Sequence, residues 1–559
     1  MKTVVVKYFL YTHYTNGIFS DFRGFLLADN TFVSLKDIPA LFKTVNVLNV
    51  CRLEDGRWGH KSGTPRYYNK LYDKVNKINK IDKDKSASIS GSAKTYLKGY
   101  KRRDCFNALY EAYITNDARL TALYGVRRTG KTVLMRQVEE KIQKQGYRTL
   151  FLTCTPATTM NDVYDAMDKA VNNGVVHIFI DEITFIKDFL SNGYRLGNEY
   201  APKLYIMITG TNSFVLRVAG NDMLFDRMKV FSTTYISFAE FNRVLGHDFD
   251  TYVKSGGLMY NGFKSYSDTH TYENTAIIEN FTAVFNDDEY CRRHPDLFLL
   301  YQNNTLSWYI NRIIESNVKD TLTKVFDSSI LGSTLHNCRE QGVDIDKDLL
   351  KSVHDTYRYH LQCKSENFND ILDVEITKQI KGYLQDIGVL YKDKSTEFIS
   401  IPGLLYSLSL EMLSTIFEAM RVSDLQVSDY VFKLLCTKLE EGVEGDIIEN
   451  IVYYYTAKKF ENTCYSVFKY RTADNAEFDV VVANQETGAA ELYEVKRSSA
   501  IVQKQARHLL NKETIKRFKL EKYPIIASKT VLYGGKTQDV EFDGELIKYK
   551  NVQEYLLGK

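Results

Sequence analysis

Proline is scarce in this sequence, with 7 residues in 559, and tryptophan is scarcer still at 2. So little proline excludes a proline-rich scaffold or a stiff extended spacer. The eight cysteines (Cys51, Cys105, Cys154, Cys291, Cys338, Cys363, Cys436 and Cys464) stand singly, none paired at C-x-x-C spacing. That pattern excludes a zinc ribbon and a dense disulfide framework, and it points to a reducing compartment. No stretch approaches the run of about 18 uncharged apolar residues that a membrane span needs. The apolar start MKTVVVKYFLY is cut by Lys7, too early for a signal-peptide core. A cytoplasmic protein with no membrane partner is therefore expected. Excess charge is missing too: 73 basic side chains face 70 acidic ones, for a net +3. Any surface that binds nucleic acid must then be a local one.

What the chain has in quantity is core-forming material. Apolar residues make up 44% of it, with 40 tyrosines and 31 phenylalanines, against 26% charged residues. At about 150 residues per domain, such a chain holds three or four domains. Short β-like runs at 3–11, 24–27 and 45–50 carry no catalytic motif. Between Lys74 and Arg103 ten basic residues face two aspartates around a Ser/Ala/Gly stretch. This is either a solvated helix with a flexible linker or a basic arm laid on a phosphate backbone. From 121 to about 246, apolar runs at 121–124, 149–153, 175–180 and 204–209 alternate with helical patterns at 131–144 and 160–171. That alternation predicts an α/β unit, a parallel sheet covered by helices on both faces. Residues 300–440 read mostly as helix, and 444–535 return to mixed α/β with no internal repeat.

The sharpest motif is Gly125-Val126-Arg127-Arg128-Thr129-Gly130-Lys131-Thr132, set between the strand LTALY and the helix TVLMRQVEEKI. It fits the P-loop spacing G-x-x-x-x-G-K-[ST] in the strand–loop–helix context that the spacing requires. Glycines let successive N–H groups curl round a phosphate, and the helix N-terminus adds a favourable dipole. Lys131 supplies charge to the β and γ phosphates of ATP, and the Thr132 hydroxyl is suited to Mg²⁺. About fifty residues on, His177-Ile-Phe-Ile180 ends in Asp181-Glu182. Asp181 is placed to hold Mg²⁺ through water and Glu182 to polarise the attacking water. The strand at 204–209 ends in Gly-Thr-Asn212-Ser213, where Asn212 either meets the γ-phosphate or caps the next helix.

GVRRTGKT, HIFIDE, ITGTNSF, LFDRMKVFSTTYISFAEF and YVKSGGL together resemble the AAA-type ATP-binding proteins of prokaryotes, from about Arg119 to the C-terminus. The resemblance implies a P-loop domain joined to a winged-helix segment and a nuclease-like C-terminal domain. It also implies Arg227 as an arginine finger, acting between copies of a homo-oligomer. Val126 departs from the group's usual proline, which affects loop rigidity more than chemistry, and Asp226 stands where glycine is common.

Near the C-terminus, Glu477-Phe-Asp479-Val-Val-Val482 and Glu491-Leu-Tyr-Glu494-Val-Lys496 form two strand-like runs joined by a turn. Alternation puts Asp479 on one face, and Glu494 with Lys496 on one face of the next strand. Their carboxylates suit Mg²⁺ or Mn²⁺, and Lys496 suits a developing phosphorane charge or a water. The D-x₁₄-E-x-K spacing resembles the PD-(D/E)xK nuclease core. That resemblance implies a restriction-endonuclease-like α/β domain acting on nucleic acid, DNA before RNA, with Glu449 as an extra metal-binding acid on its first helix. Gln505 is a weaker addition. Residues 374–390 look like the second helix and wing of a winged-helix unit, many of which pack only against protein. Cys291-Arg-Arg-His294 reads as a surface cluster and not as a metal motif.

The expected layout is an N-terminal β-containing extension (1–73), a basic linker (74–103), the P-loop ATPase (104–265), a helical winged-helix-like region (266–438) and the nuclease-like domain (439–559). Two functions fit it. One is an ATPase coupled to a metal-dependent nuclease. The other is an ATP-driven switch whose C-terminal domain binds without cutting.

Overall fold

The computed structural model describes residues 97–115, 117–259, 266–340, 355, 374–422, 428–472 and 476–559, together with seven strands between residues 3 and 68. Residues 74–96 of the basic stretch lie outside the described residues. In the N-terminal part, Thr3–Thr15 pairs antiparallel with Ile18–Leu27 at the centre of a five-stranded sheet.

The P-loop domain is built on five parallel strands in the order Lys229–Ser232, Leu120–Tyr124, Tyr205–Thr209, His177–Asp181, Thr149–Thr153. The three central strands, LTALY, YIMIT and HIFID, are buried at every position. Unbroken apolar runs of this kind suit strands covered on both faces. The four strands expected from the sequence are present; the fifth, Lys229–Ser232, has no fully buried residue and so carries no strong apolar signal. Helix Lys131–Lys144 begins where the periodicity places it, and Met160–Asn172 is started by a capping box between Thr159 and Asp162.

The middle of the chain is helical: Leu306–Glu340, Val374–Asp386, Pro402–Val422 and Asp429–Lys459. An antiparallel hairpin, Leu390–Lys392 with Glu397–Ile399, follows the second of these. The helix Asp429–Lys459 runs unbroken through 438–439. Gly442 on it is a point of close approach and not a stop, because a Cβ there would lie 2.3 Å from Val325 Cγ1.

The C-terminal sheet has six strands in the order Tyr465–Arg471, Glu477–Asn484, Ala489–Val495, Ile525–Tyr533, Glu545–Asn551, Gln538–Phe542. The first three pair antiparallel, and Ile525–Tyr533 then joins both of its neighbours in parallel. One continuous core links the P-loop domain, the helical region and one side of this sheet; Phe478, Leu492 and Phe518 belong to a separate core within the C-terminal domain. Among the described residues no helix is long and apolar enough to cross a membrane.

Candidate functional site

The strand Leu120–Tyr124 gives way to Gly125 (φ 143°), and the next helix starts after Gly130 (φ 80°). A Cβ on Gly125 would sit 2.7 Å from Thr233 Oγ1, so the turn has room only for glycine. Arg128 also takes a left-handed conformation (φ 69°), a strained choice for a side chain this large. Lys131 Nζ folds back and donates to the carbonyls of Gly125 (2.8 Å) and Val126 (2.9 Å). Burial brings its ammonium down to about 8. A bound phosphate at the helix start would offer that buried charge a stronger partner than two carbonyls.

Thr132 Oγ1 donates to Asp181 Oδ1 at 3.3 Å, so the hydroxyl and carboxylate suited to Mg²⁺ are adjacent. Burial, reinforced by Glu182, raises the Asp181 carboxyl to about 6. Glu182 stands in the left-handed region (φ 59°) at the strand tip. Thr211 grips both its oxygens, N–H to Oε2 at 2.7 Å and Oγ1 to Oε1 at 2.9 Å. Asn212 occupies the cap position of helix Ser213–Asn221, yet its side chain makes no capping bond. Contact with the loop passes instead to Ser213, whose Oγ donates to Gly125 O at 2.6 Å. Arg227 is exposed after Asp226 (φ 58°) and does not join the cluster around Lys131.

Arg103, the last residue of the basic stretch, is neither solvated nor laid on a phosphate backbone. It is buried and forms a paired contact with Glu240, Nε to Oε1 at 2.7 Å and Nη2 to Oε2 at 3.2 Å. Its guanidinium also donates to Thr129 O and Thr233 O (2.7 Å each) and to Tyr235 O (2.8 Å). One side chain thus ties the phosphate loop to the segment after the edge strand. The partners lie 26 to 137 residues away, beyond the reach of a local motif.

In the C-terminal sheet, Val480 faces Tyr493 and Val481 faces Leu492, and the same register places Asp479 opposite Glu494. Asp479 Oδ2 accepts from the Val495 N–H (2.7 Å) and from Lys496 Nζ (3.3 Å), which also donates to Glu494 Oε2 (2.8 Å). Glu494 Oε1 is buried without a hydrogen-bond partner. Burial, with Asp479 alongside, pushes the Glu494 carboxyl up; the acids around Lys496 outweigh its burial and hold its ammonium charged.

The orphaned oxygen and the adjoining carboxylate fit a divalent cation. Among the described residues, however, no three His, Cys, Asp or Glu side chains gather into a metal-holding group. Glu449 therefore shares the charge cluster without completing a ready-made cage; burial and Asp479 hold its carboxyl far above the usual range. Lys496 Nζ bridges one oxygen of each acid, Asp479 Oδ2 and Glu494 Oε2, and leaves Glu494 Oε1 unpaired. Gln505 is turned away, its Oε1 accepting from the Val502 N–H at 3.4 Å. Sequence reasoning missed Lys469, on the neighbouring strand, whose strongest partners in charge are Glu449, Asp446 and Asp479.

The hairpin after helix Val374–Asp386 is engaged with protein. Its turn residue Asp393 accepts from Tyr453 OH, Ser395 Oγ lies 2.9 Å from the same hydroxyl, and the Lys469 N–H donates to Ser395 Oγ at 3.2 Å. Of the Cys291–His294 stretch, Arg293 lies at the surface and pairs with Asp222 and Glu289, whereas Cys291 is buried in the core with its Sγ donating to Phe285 O at 3.4 Å.

Residues 117–242 match a family described as an AAA domain. This part of the chain is an AAA-type domain. No curated protein matches the sequence. Among solved structures, a Walker-type ATPase of Pyrococcus abyssi is similar at 12% identity and TM-score 0.28, covering 55% of this chain and 95% of its own. A DNA replication initiation factor is similar at 13% identity and TM-score 0.20, covering 63% and 97%. AMPPCP-bound DnaA from Aquifex aeolicus is similar at 12% identity and TM-score 0.19, covering 57% and 97%.

Proposed function

We propose that the protein binds and hydrolyses ATP at Gly125–Thr132 and couples this to a metal-dependent phosphodiesterase site at Asp479, Glu494 and Lys496, acting on nucleic acid, DNA before RNA. The observation that carries the reading is the convergence of Lys131, Thr132 and Asp181 at one helix start, with Glu182 next to them.

At the first site Lys131 binds the β and γ phosphates, and Thr132 and Asp181 would hold Mg²⁺, which lends positive charge to phosphate oxygens when bound. Glu182, freed from Thr211, takes the proton of the attacking water; Asn212, with no capping duty, is within the same strand-tip loop to orient it. Arg227, exposed, is available to a neighbouring copy in a homo-oligomer. At the second site Asp479 and Glu494 would hold a divalent ion, and Lys496 stabilises charge on the phosphate.

The test is ATP binding by Lys131→Ala, which should be lost or sharply reduced. Equal binding by that variant would remove the P-loop assignment. The ATP-driven switch that binds nucleic acid without cutting stays as the second reading, favoured by one observation: no three-carboxylate cage is formed among the described residues. Cleavage of labelled DNA and RNA with Mg²⁺ or Mn²⁺ separates the two.

A further inference from the structure

We infer that Lys469 is a second phosphate-contacting lysine of the acidic site, placed at its mouth to take a phosphodiester oxygen of the nucleic acid alongside Lys496. The inference rests on the nuclease reading given above and names a residue that the D-x₁₄-E-x-K spacing does not contain.

The strand Tyr465–Arg471 carries Lys469 beside the strand of Asp479. Phe468 faces Val481 while Tyr470 faces Phe478, so Lys469 alone stands against two residues, Asp479 and Val480. The extra residue belongs to the strand Glu477–Asn484, so the bulge interrupts the ladder there, bends that strand and re-aims its side chains opposite Lys469. It falls at the carboxylate the site needs. The backbone at the same point is pinned, because the Lys469 N–H donates to Ser395 Oγ on the hairpin turn.

The side chain is located by the helix across from it. Lys469 Nζ lies 5.8 Å from the centre of the Tyr453 ring. Tyr453 is four residues beyond Glu449 and seven beyond Asp446 on helix Asp429–Lys459, so all three share one face. The ammonium therefore stands over the Glu449 side of the cluster, while Lys496 stands over the Asp479–Glu494 side.

Lys469 is also uncommitted. Lys496 is closed between two carboxylates, and Asp446 is already served by Thr321 Oγ1 (2.9 Å) and Asn450 Nδ2 (3.1 Å). Among the described residues no carboxylate closes on Lys469 Nζ at salt-bridge distance. Asp479 and Glu494 form the floor of the site, at 7% and 2% exposure, and Glu449 and Lys469 are only half-buried. An ammonium donor with no carboxylate at short range, partly exposed beside the Asp479–Glu494 floor, is suited to an anionic oxygen.

The charge balance makes a second ammonium useful. Five carboxyls (Asp446, Glu449, Glu477, Asp479, Glu494) crowd round two lysines, and their crowding holds Glu449 and Glu494 towards the neutral form until a cation arrives. A divalent ion answers the floor, and Lys469 answers the rim.

The experiment compares full-length wild type, Lys469→Met, Lys469→Arg and Asp479→Asn in binding labelled double-stranded DNA across a salt series. Ca²⁺ replaces Mg²⁺ so that binding is read without turnover. Thermal midpoints are measured alongside, and Lys469→Gln substitutes for Met if that variant melts early. Losing one phosphate contact should weaken binding roughly ten- to hundredfold and reduce the slope of log affinity against log salt by about 0.9. Lys469→Arg should restore both. In cleavage with Mg²⁺, Lys469→Met should raise KM more than it lowers kcat. Wild-type binding with an unchanged slope and affinity in a folded Lys469→Met protein would overturn this inference and leave the nuclease reading standing. Absence of both binding and cleavage in the wild type would overturn the nuclease reading, and this inference with it.

Discussion

Thr211 holds both carboxylate oxygens of Glu182, through its backbone N–H at 2.7 Å and its hydroxyl at 2.9 Å. Glu182, the proposed activator of water, is thereby tied to the next strand tip, and a nucleotide that draws this tip away would release it. Thr211→Val keeps the N–H bond and removes the hydroxyl bond. One ordinary hydrogen bond is worth about 1 kcal/mol, so basal ATP turnover should rise about fivefold. A fall in turnover would show that the hydroxyl orients Glu182 for catalysis.

Glu182→Gln retains the shape of the side chain without its basicity. It should bind ATP with near wild-type affinity and hydrolyse it at least roughly a hundredfold more slowly, the scale of a lost general base. Single-turnover hydrolysis with bound ATP measured separately checks this; unchanged turnover would move the role to another group.

Arg103→Met leaves Glu240 buried without its cation. Breaking such a pair from one side costs about 3–5 kcal/mol, read as a lower thermal midpoint. Adding Glu240→Gln should recover much of that stability. ATP affinity should stay low in the double variant, because Thr129 O has still lost its anchor. Full recovery of affinity would make Arg103 a stability residue alone.

His177 supplies a pH dependence. Its ring is buried, with Nδ1 3.1 Å from Tyr113 OH and the Tyr205 ring 5.0 Å away, and burial alone lowers it from 6.5 to about 3. The folded state keeps it neutral and the unfolded state takes the proton. Stability from this group is complete above pH 6.5 and is lost as pH falls toward 3, by about 1.4 kcal/mol per pH unit at most. Denaturation of wild type and His177→Phe between pH 7 and 4 should show a shallower acid loss in the variant. Parallel curves would refute the assignment.

Asp479→Asn removes one of two facing acids. Without metal the variant should be as stable as wild type or more so, since Asp479 helps to push the Glu494 carboxyl up. In protein carrying Asp181→Asn to silence the other site, Mn²⁺ at a hundred times its dissociation constant should stabilise the wild-type acidic site by about 2.7 kcal/mol. The Asp479→Asn form should lose most of that response. No Mn²⁺ response in either protein would remove the metal site.

The legible parts of this sequence are the local ones. Gly125, Gly130, Lys131 and Thr132 lie within eight consecutive residues, so their spacing alone implies the loop. Asp479 and Glu494 belong to strands joined by a short turn, and alternation carried across it is enough to align them. Arg103, Thr211 and Lys469 escape such reading for a common reason: each acquires its meaning from a chain segment distant in sequence. Arg103 meets Glu240 across 137 residues and Thr211 meets Glu182 across 29. Lys469 looks like an outward strand residue until the bulge and the helix of Glu449 are in place. Asn212 shows the converse limit, since its sequence position fits a cap that its side chain does not make.

The helix Asp429–Lys459 is one continuous element that reaches both the P-loop domain and the acidic cluster. At 1.5 Å per residue its 31 residues span about 46 Å. Tyr454 meets Tyr235 of the ATPase domain at 4.7 Å between ring centres, and Tyr235 O is in turn held by Arg103. Glu449 lies five residues earlier, which turns it about 140° round the axis from Tyr454. The two face different neighbours, yet no joint separates them. A slide along the axis delivered at the nucleotide side would arrive undiminished among the acids, whereas a hinge placed anywhere in 449–454, such as a proline, would disconnect them while leaving each end chemically intact.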